Sequence, residues 1–105
     1  MNMRRSEQLQ EISDLSRQML EKAQNMQWDR VAEIEVRRRE LVIRCFQSPT
    51  SAQDAPAVAD AIREILRLNH AVTELGRDCR DRLSEEIHSH KVGRAATLAY
   101  LNCIR

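Results

Sequence analysis

Glu85 and His88 stand three residues apart in a stretch patterned as a helix, so both side chains can leave from one face. That pair is a fragment of the carboxylate–histidine pattern of di-iron bundles, which needs a second such pair and further inward carboxylates. The chain supplies neither. His90 lies two residues beyond His88 and so points to a different side of the helix, and His70 stands alone. Cys45, Cys79 and Cys103 are odd in number, widely spaced and form no C-x-x-C pair. Each falls on an apolar helical position, which reads as three reduced, buried thiols. The sequence has no Gly-rich phosphate loop, no nucleophile with a recognisable base signature and no loop long enough to hold a site. We therefore expect no metal, no cofactor and no enzymatic activity.

The run Arg37-Arg38-Arg39 is the other feature that could carry chemistry, as a contact to nucleic acid. Its setting argues otherwise. Glu33 precedes Arg37 by four residues, Glu35 precedes Arg39, and Glu40 precedes Arg44, each in the favourable orientation for a helix surface. With 31% charged residues and a net charge of only +1, no strong field favours nucleic acid or an anionic membrane. Arg38 differs from its neighbours, because it continues the inward series Val31, Ile34, Arg38, Leu41, Cys45. An inward Arg either snorkels to the edge or finds a polar partner. Glu35 is the local candidate, and Asn69 lies at roughly the same level of a later helix.

The elements around these residues are all helical. The chain has 105 residues, two Gly, two Pro and 42% apolar residues with only 3% aromatic, so its core must be built from Leu, Ile, Val, Ala and Met. We read residues 1–105 as one domain: an all-α, antiparallel three-helix bundle with a long third helix and a short C-terminal helical tail. Helix 1 is expected at about 4–24, with Leu9, Ile12, Leu15, Met19, Ala23 and Met26 inward and Asn25 as a left-handed stop. Helix 2 is expected at 28–46, opened by Trp28 and Asp29, with Val31, Ile34, Leu41, Val42, Cys45 and Phe46 as its apolar positions. A loop at 47–54 contains Pro49, and Asp54 can cap the third helix. That helix is expected at 55–91, with Val58, Ile62, Ile65, Val72, Cys79, Leu83 and Ile87 on its apolar line and Leu66, Leu68 and Leu75 widening it. Gly93 breaks the pattern, and the tail at 94–105 carries Leu98, Tyr100, Leu101 and Ile104. The polar start and the lack of any long apolar run predict neither a signal peptide nor a membrane span, and a cytosolic location.

Helix lengths then raise a question. Helix 3 would be roughly 54 Å long against about 30 Å for each of the others. Beyond Gly76 it should project past the body, leaving Cys79, Leu83 and Ile87 to be covered by the tail, by a second copy or by another protein. Burying each would gain on the order of 1.5–3 kcal/mol, so leaving them wet is unfavourable. Together with Leu98 and Tyr100 of the tail, they form the expected partner-binding set. Trp28, an amphipathic ring at a helix junction, is expected to pack the first corner of the bundle.

The segment Trp28-Asp29-x-Val31-x-x-Ile34-Glu35-x-x-Arg38-x-x-Leu41 resembles the corresponding region of FliT-type flagellar export chaperones. The first helix ending before the Trp, the long third helix with Ile65 to Asn69 near its start, and Ala99-Tyr100 in the tail are similar too. The resemblance implies a cytoplasmic chaperone that holds the filament-cap protein (FliD), blocks its early assembly and delivers it to the export ATPase and export gate. In some members the free chaperone also binds the flagellar master transcription regulator and lowers its activity. The tail, ending at Arg105, is shorter than the fourth helix of longer members. By analogy with export chaperones, Tyr100 would touch the export machinery. A homodimeric helical adaptor, with Cys79, Leu83 and Ile87 as its seam, is the alternative.

Overall fold

A computed structural model describes residues 4–88, which form three helices: α1 (Arg5–Gln24), α2 (Trp28–Cys45) and α3 (Ala55–His88). The all-α expectation holds, and the expected ends of α1 and α2 differ from the observed ones by one residue each. The tail expected at 94–105 lies outside the described residues, as do the last residues expected in helix 3.

In α1 the steps of three and four bury Leu9, Ile12, Leu15, Met19 and Ala23 along one face. Ser13 and Ser16 share that face, and the Ser16 hydroxyl donates to the Ile12 carbonyl at 2.8 Å, so its burial leaves no orphan donor. The helix closes differently from the expectation. Asn25 keeps a right-handed φ of −93°, and the left-handed residue is Met26, with φ 59°; Met26, expected inward, is 48% exposed because the helix has ended before it. The Gln27 N–H donates to Lys22 O at 2.8 Å and the Met26 N–H to Ala23 O at 3.0 Å. Those two bonds are the Schellman pair, which places the left-handed residue one position after the cap. A non-Gly residue in that conformation costs roughly 1–2 kcal/mol.

Two apolar clusters hold the helices together. One joins Leu9, Ile12 and Leu15 of α1 to Leu41 and Cys45 of α2 and Val58 of α3, with Ile34, Ala61 and Ile65 against it. The other joins Met19 and Ala23 to Trp28 and Val31, flanked by Val72 and Leu75. The beginning of α1 thus meets the end of α2 and the beginning of α3. Its end meets the start of α2 and the middle of α3. So α2 runs antiparallel to both neighbours, while α1 and α3 run parallel. Trp28 packs the corner as expected, its ring resting where a Cβ on Gly76 would lie 3.5 Å from Cη2.

Short connections lead one to expect α2 paired with the first half of α3, up to about Leu75, and the structure corrects this. The backbone of α1 packs against both other helices, whereas α2 and α3 make no close backbone approach. The inward stripe of α1 serves both neighbours, and Arg38 of α2 reaches Asn69 of α3 across the gap between them. The segment from Arg77 to His88 extends roughly 18 Å beyond the Trp28 corner. Cys79 and Leu83 on it are nevertheless buried within the single chain, at 4% and 8% exposure, and belong to neither cluster above. No described helix is long and apolar enough to cross a membrane.

Candidate binding cleft between α2 and α3

Arg38 bridges all three helices. Its Nη1 donates to Ser16 Oγ of α1 at 3.1 Å and to Asn69 Oδ1 of α3 at 2.5 Å. Both acceptors are neutral. Glu35, the local candidate, is taken by Arg39 at 2.7 Å, so Arg38 takes part in none of the ion pairs among the described residues. Burial lowers the Arg38 pKa, the nearby Glu35 carboxylate pushes it back up, and Arg39 lowers it again. An Arg side chain stays charged through any such change near neutral pH. A half-buried cation therefore sits between α2 and α3, hydrogen-bonded to neutral oxygens, with the Glu35 carboxylate near it but not paired to it.

The helical repeat places apolar side chains beside this bridge. Val42 follows Arg38 by one turn of α2, while Leu66 and Ile62 precede Asn69 by one and two turns of α3. Because the two helices run in opposite directions, Val42 lies across from the Ile62–Leu66 turn. They are 36%, 39% and 59% exposed respectively, too open to count as core. By spacing alone, Val42 belongs to the inward positions, Ile62 to the core line and Leu66 to its margin. The reason for the difference is the missing close approach of the α2 and α3 backbones, which leaves these apolar side chains open on either side of Arg38; we take this strip as the candidate cleft. Val36 and Ile43 are also exposed, but their positions on α2 face away from it.

Trp28, Val31 and Leu41 are buried, Ile34, Glu35 and Arg38 are half-buried, and Asp29 is exposed in the first turn of α2. The indole Nε1 of Trp28 is buried without an acceptor. Of the expected partner-binding set, Cys79 and Leu83 are buried, Ile87 falls in α3 with its side chain outside the description, and Leu98 and Tyr100 lie outside the described residues. Arg37 pairs with Glu11 of α1 at 3.3 Å instead of with Glu33, which Arg30 takes at 3.2 Å. Arg39 and Glu35 pair as expected. Most of these pairs are solvent-exposed and contribute little.

Of the chemical groups singled out in the sequence, His90, Cys103 and the side chain of His88 lie outside the described residues. Among the described residues no group of His, Cys, Asp and Glu could hold a metal ion. Glu85 and His70 are exposed. Cys45 is a free, buried thiol; burial pushes its pKa up and the nearby Arg5 cation opposes that. Cys79 corrects the expectation of three reduced thiols, because it is disulfide-bonded. Sequence spacing says nothing about sulfurs that folding brings together. A depression of about 250 Å³ between the starts of α1 and α3 holds Arg4, Arg5 and Asp54 over Leu9 and Val58, with cations and a carboxylate offsetting each other. Arg5 there anchors the connection after α2, donating to Ser48 O at 2.6 Å and lying over the Phe46 ring.

A cleft between two helices that share a third as their support can hold a further helix. Comparison with curated proteins and with solved structures gives no match. A family model described as Flagellar protein FliT matches residues 6–102, nearly the whole chain. The chain therefore belongs to the FliT family, a family of flagellar export chaperones, in agreement with the resemblance carried by the Trp28–Leu41 motif.

Proposed function

We propose that this protein is a cytosolic chaperone for the flagellar filament-cap protein, FliD. It holds the C-terminal segment of the cap protein as a helix, keeps that segment from assembling early, and passes the complex to the export ATPase and export gate. The observation that supports this most is the α2–α3 cleft. A bundle that leaves Val42, Ile62 and Leu66 open on facing stripes, in a family of export chaperones, has a seat for one more amphipathic helix. Burying the three side chains on docking would contribute about 25 cal/mol per Å² of apolar surface removed from water.

A second contact region would comprise Cys79, Leu83, Ile87, Leu98 and Tyr100. Since Cys79 and Leu83 are buried in the chain by itself, a partner reaches them only by displacing what lies over them. Deleting residues 93–105 would then tighten client binding. The flagellar master regulator, where the free chaperone binds it, would compete with the client for the same surfaces.

Titration calorimetry with a synthetic peptide from the cap protein's C-terminus tests the reading. One-to-one binding that is weakened by a polar residue at Leu66 is the expected result. Light scattering on the same samples addresses the adaptor alternative. A concentration-independent dimer that the peptide neither binds nor splits would favour the adaptor and defeat the chaperone reading.

A further inference from the structure

We propose that Arg38 is a carboxylate anchor at the floor of the α2–α3 cleft, so that the segment docking there is an amphipathic helix carrying an Asp or Glu on its apolar face. This rests on the chaperone reading and adds the recognition chemistry that the cleft uses.

Three observations converge on Arg38. First, its hydrogen bonding is incomplete. A guanidinium carries five N–H donors, and only Nη1 is engaged, with two neutral oxygens. Nε and Nη2 have no acceptor among the described residues, yet neither is among the sealed, unsatisfied polar atoms, whose only described member is Trp28 Nε1. The two free groups therefore meet solvent.

Second, the cation has no direct ion-pair partner among the described residues. Glu35, one turn before it on the same helix, is near enough to favour the charge but is hydrogen-bonded by Arg39. On the α3 wall, Arg63 and Arg67 hold Asp60 and Glu64, each within its own turn of helix. The acidic groups around the cleft are thus committed to other cations, and the one half-buried cation between the walls has none. An incoming carboxylate would complete the Nη2–Nε fork without breaking any existing ion pair. Planar two-point pairing of this kind is what a guanidinium does best.

Third, the flanks set the position of that carboxylate. Val42 stands one turn from Arg38, and Leu66 and Ile62 stand one and two turns from Asn69, all on the same side of the bridge. A helix laid between these walls would bury apolar residues against them and place its acidic residue one to two turns along, over Arg38. Docking then removes water from the pair, which strengthens a charge-assisted hydrogen bond relative to the open surface. A purely apolar helix would instead desolvate the Arg38 cation without replacing its water. The cleft therefore discriminates between apolar helices with and without an acid at that point.

The test uses the full-length chaperone and a set of synthetic cap-protein C-terminal peptides in which each Asp or Glu is changed singly to Asn or Gln. One substitution should weaken binding by about tenfold or more, and the others by little. In the Arg38→Gln chaperone that same substitution should have no further effect, whereas Arg38→Lys should keep part of it. Circular dichroism of both variants checks that loss of the Ser16 and Asn69 bridge has not unfolded the bundle. The peptide series on the unmodified chaperone stands even if it has. Peptides that bind with equal affinity whatever acid is removed overturn the carboxylate anchor and leave the chaperone reading intact. A failure of every peptide to bind overturns both.

Discussion

Replacing Gly76 by alanine should stabilise the bundle. Gly76 lies inside α3 in ordinary helical conformation, with no positive φ to require the absence of a side chain. A Cβ there would meet the Trp28 ring at 3.5 Å from Cη2 and 3.8 Å from Cζ3, which is normal van der Waals contact. Helix propensity alone favours alanine over glycine by roughly 1 kcal/mol. Burying the new methyl against the indole adds up to about 0.8 kcal/mol, and part of that is already counted in the ring's present burial. A gain of about 1–1.5 kcal/mol is the outcome, equivalent to a rise in Tm of several degrees for a chain of this size. Urea unfolding followed both by circular dichroism and by Trp28 fluorescence measures it, with the disulfide state of Cys79 matched between samples. Gly76→Leu supplies the opposite sign, because a branched side chain has no room beneath the ring. A Gly76→Ala protein less stable than the original would mean that the corner needs closer contact between α3 and Trp28 than these distances describe, and the account of that corner would fail.

Other substitutions probe separate parts of the molecule. Met26 holds the left-handed position of the α1 cap and is 48% exposed, so Met26→Gly should raise stability by about 1 kcal/mol in urea, while Met26→Val should lower it. A higher midpoint for Val than for Gly would contradict the Schellman assignment. Cys45 has its thiol pKa raised by burial, so the stabilising contribution of the protonated thiol is fully present below the ordinary thiol pKa and is lost as pH rises through the higher folded value. Peptide mapping after iodoacetamide at pH 8 should show Cys45 unmodified in the folded protein and modified in urea; rapid labelling of the native chain would contradict its burial. Leu66→Ser should reduce binding of the cap-protein peptide severalfold with little change in stability, and Val36→Ser, equally exposed but on the outer side of α2, should leave binding unaltered. Equal losses from both would show that the cleft is not the docking surface.

Much of this fold is legible in the sequence because its signals are local. The three-and-four spacing of Leu9, Ile12, Leu15, Met19 and Ala23 survives unchanged in the core of α1. Trp28 at a helix junction packs a corner, and Arg38 within an apolar series does face inward. Sequence and structure diverge where two elements compete. Asn25 and Met26 both stand after the last turn of α1, and the choice between them is made by which N–H reaches Lys22 O, a matter of three-dimensional geometry. Ile62 and Leu66 fit a core stripe by spacing, but spacing does not say whether the facing helix comes close enough to cover them. The pairing of Arg37 with Glu11 across helices, in preference to Glu33 on its own helix, has the same origin. For the cleft, the one clue in the sequence is an apolar stripe on α3 wider than a single neighbouring helix can bury.

The same residue links the stability of this bundle to its proposed use. Filling the space at Arg38 with a Leu or Met would be expected to draw α2 toward α3, because a buried ion partner contributes less than good apolar packing. Such a core would be tighter, and it would close the cleft. The neutral clamp of Ser16 and Asn69 instead holds the guanidinium at a fixed height while leaving its outer donors to water. The α2–α3 separation that costs the chain some burial of Val42, Ile62 and Leu66 is therefore maintained by a polar side chain at its centre. A variant such as Arg38→Leu should accordingly be at least as stable as the original and yet bind the client peptide more weakly. Those two changes in opposite directions are what a spacer at the centre of the α2–α3 gap predicts, and an Arg38→Leu protein less stable than the original would refute it.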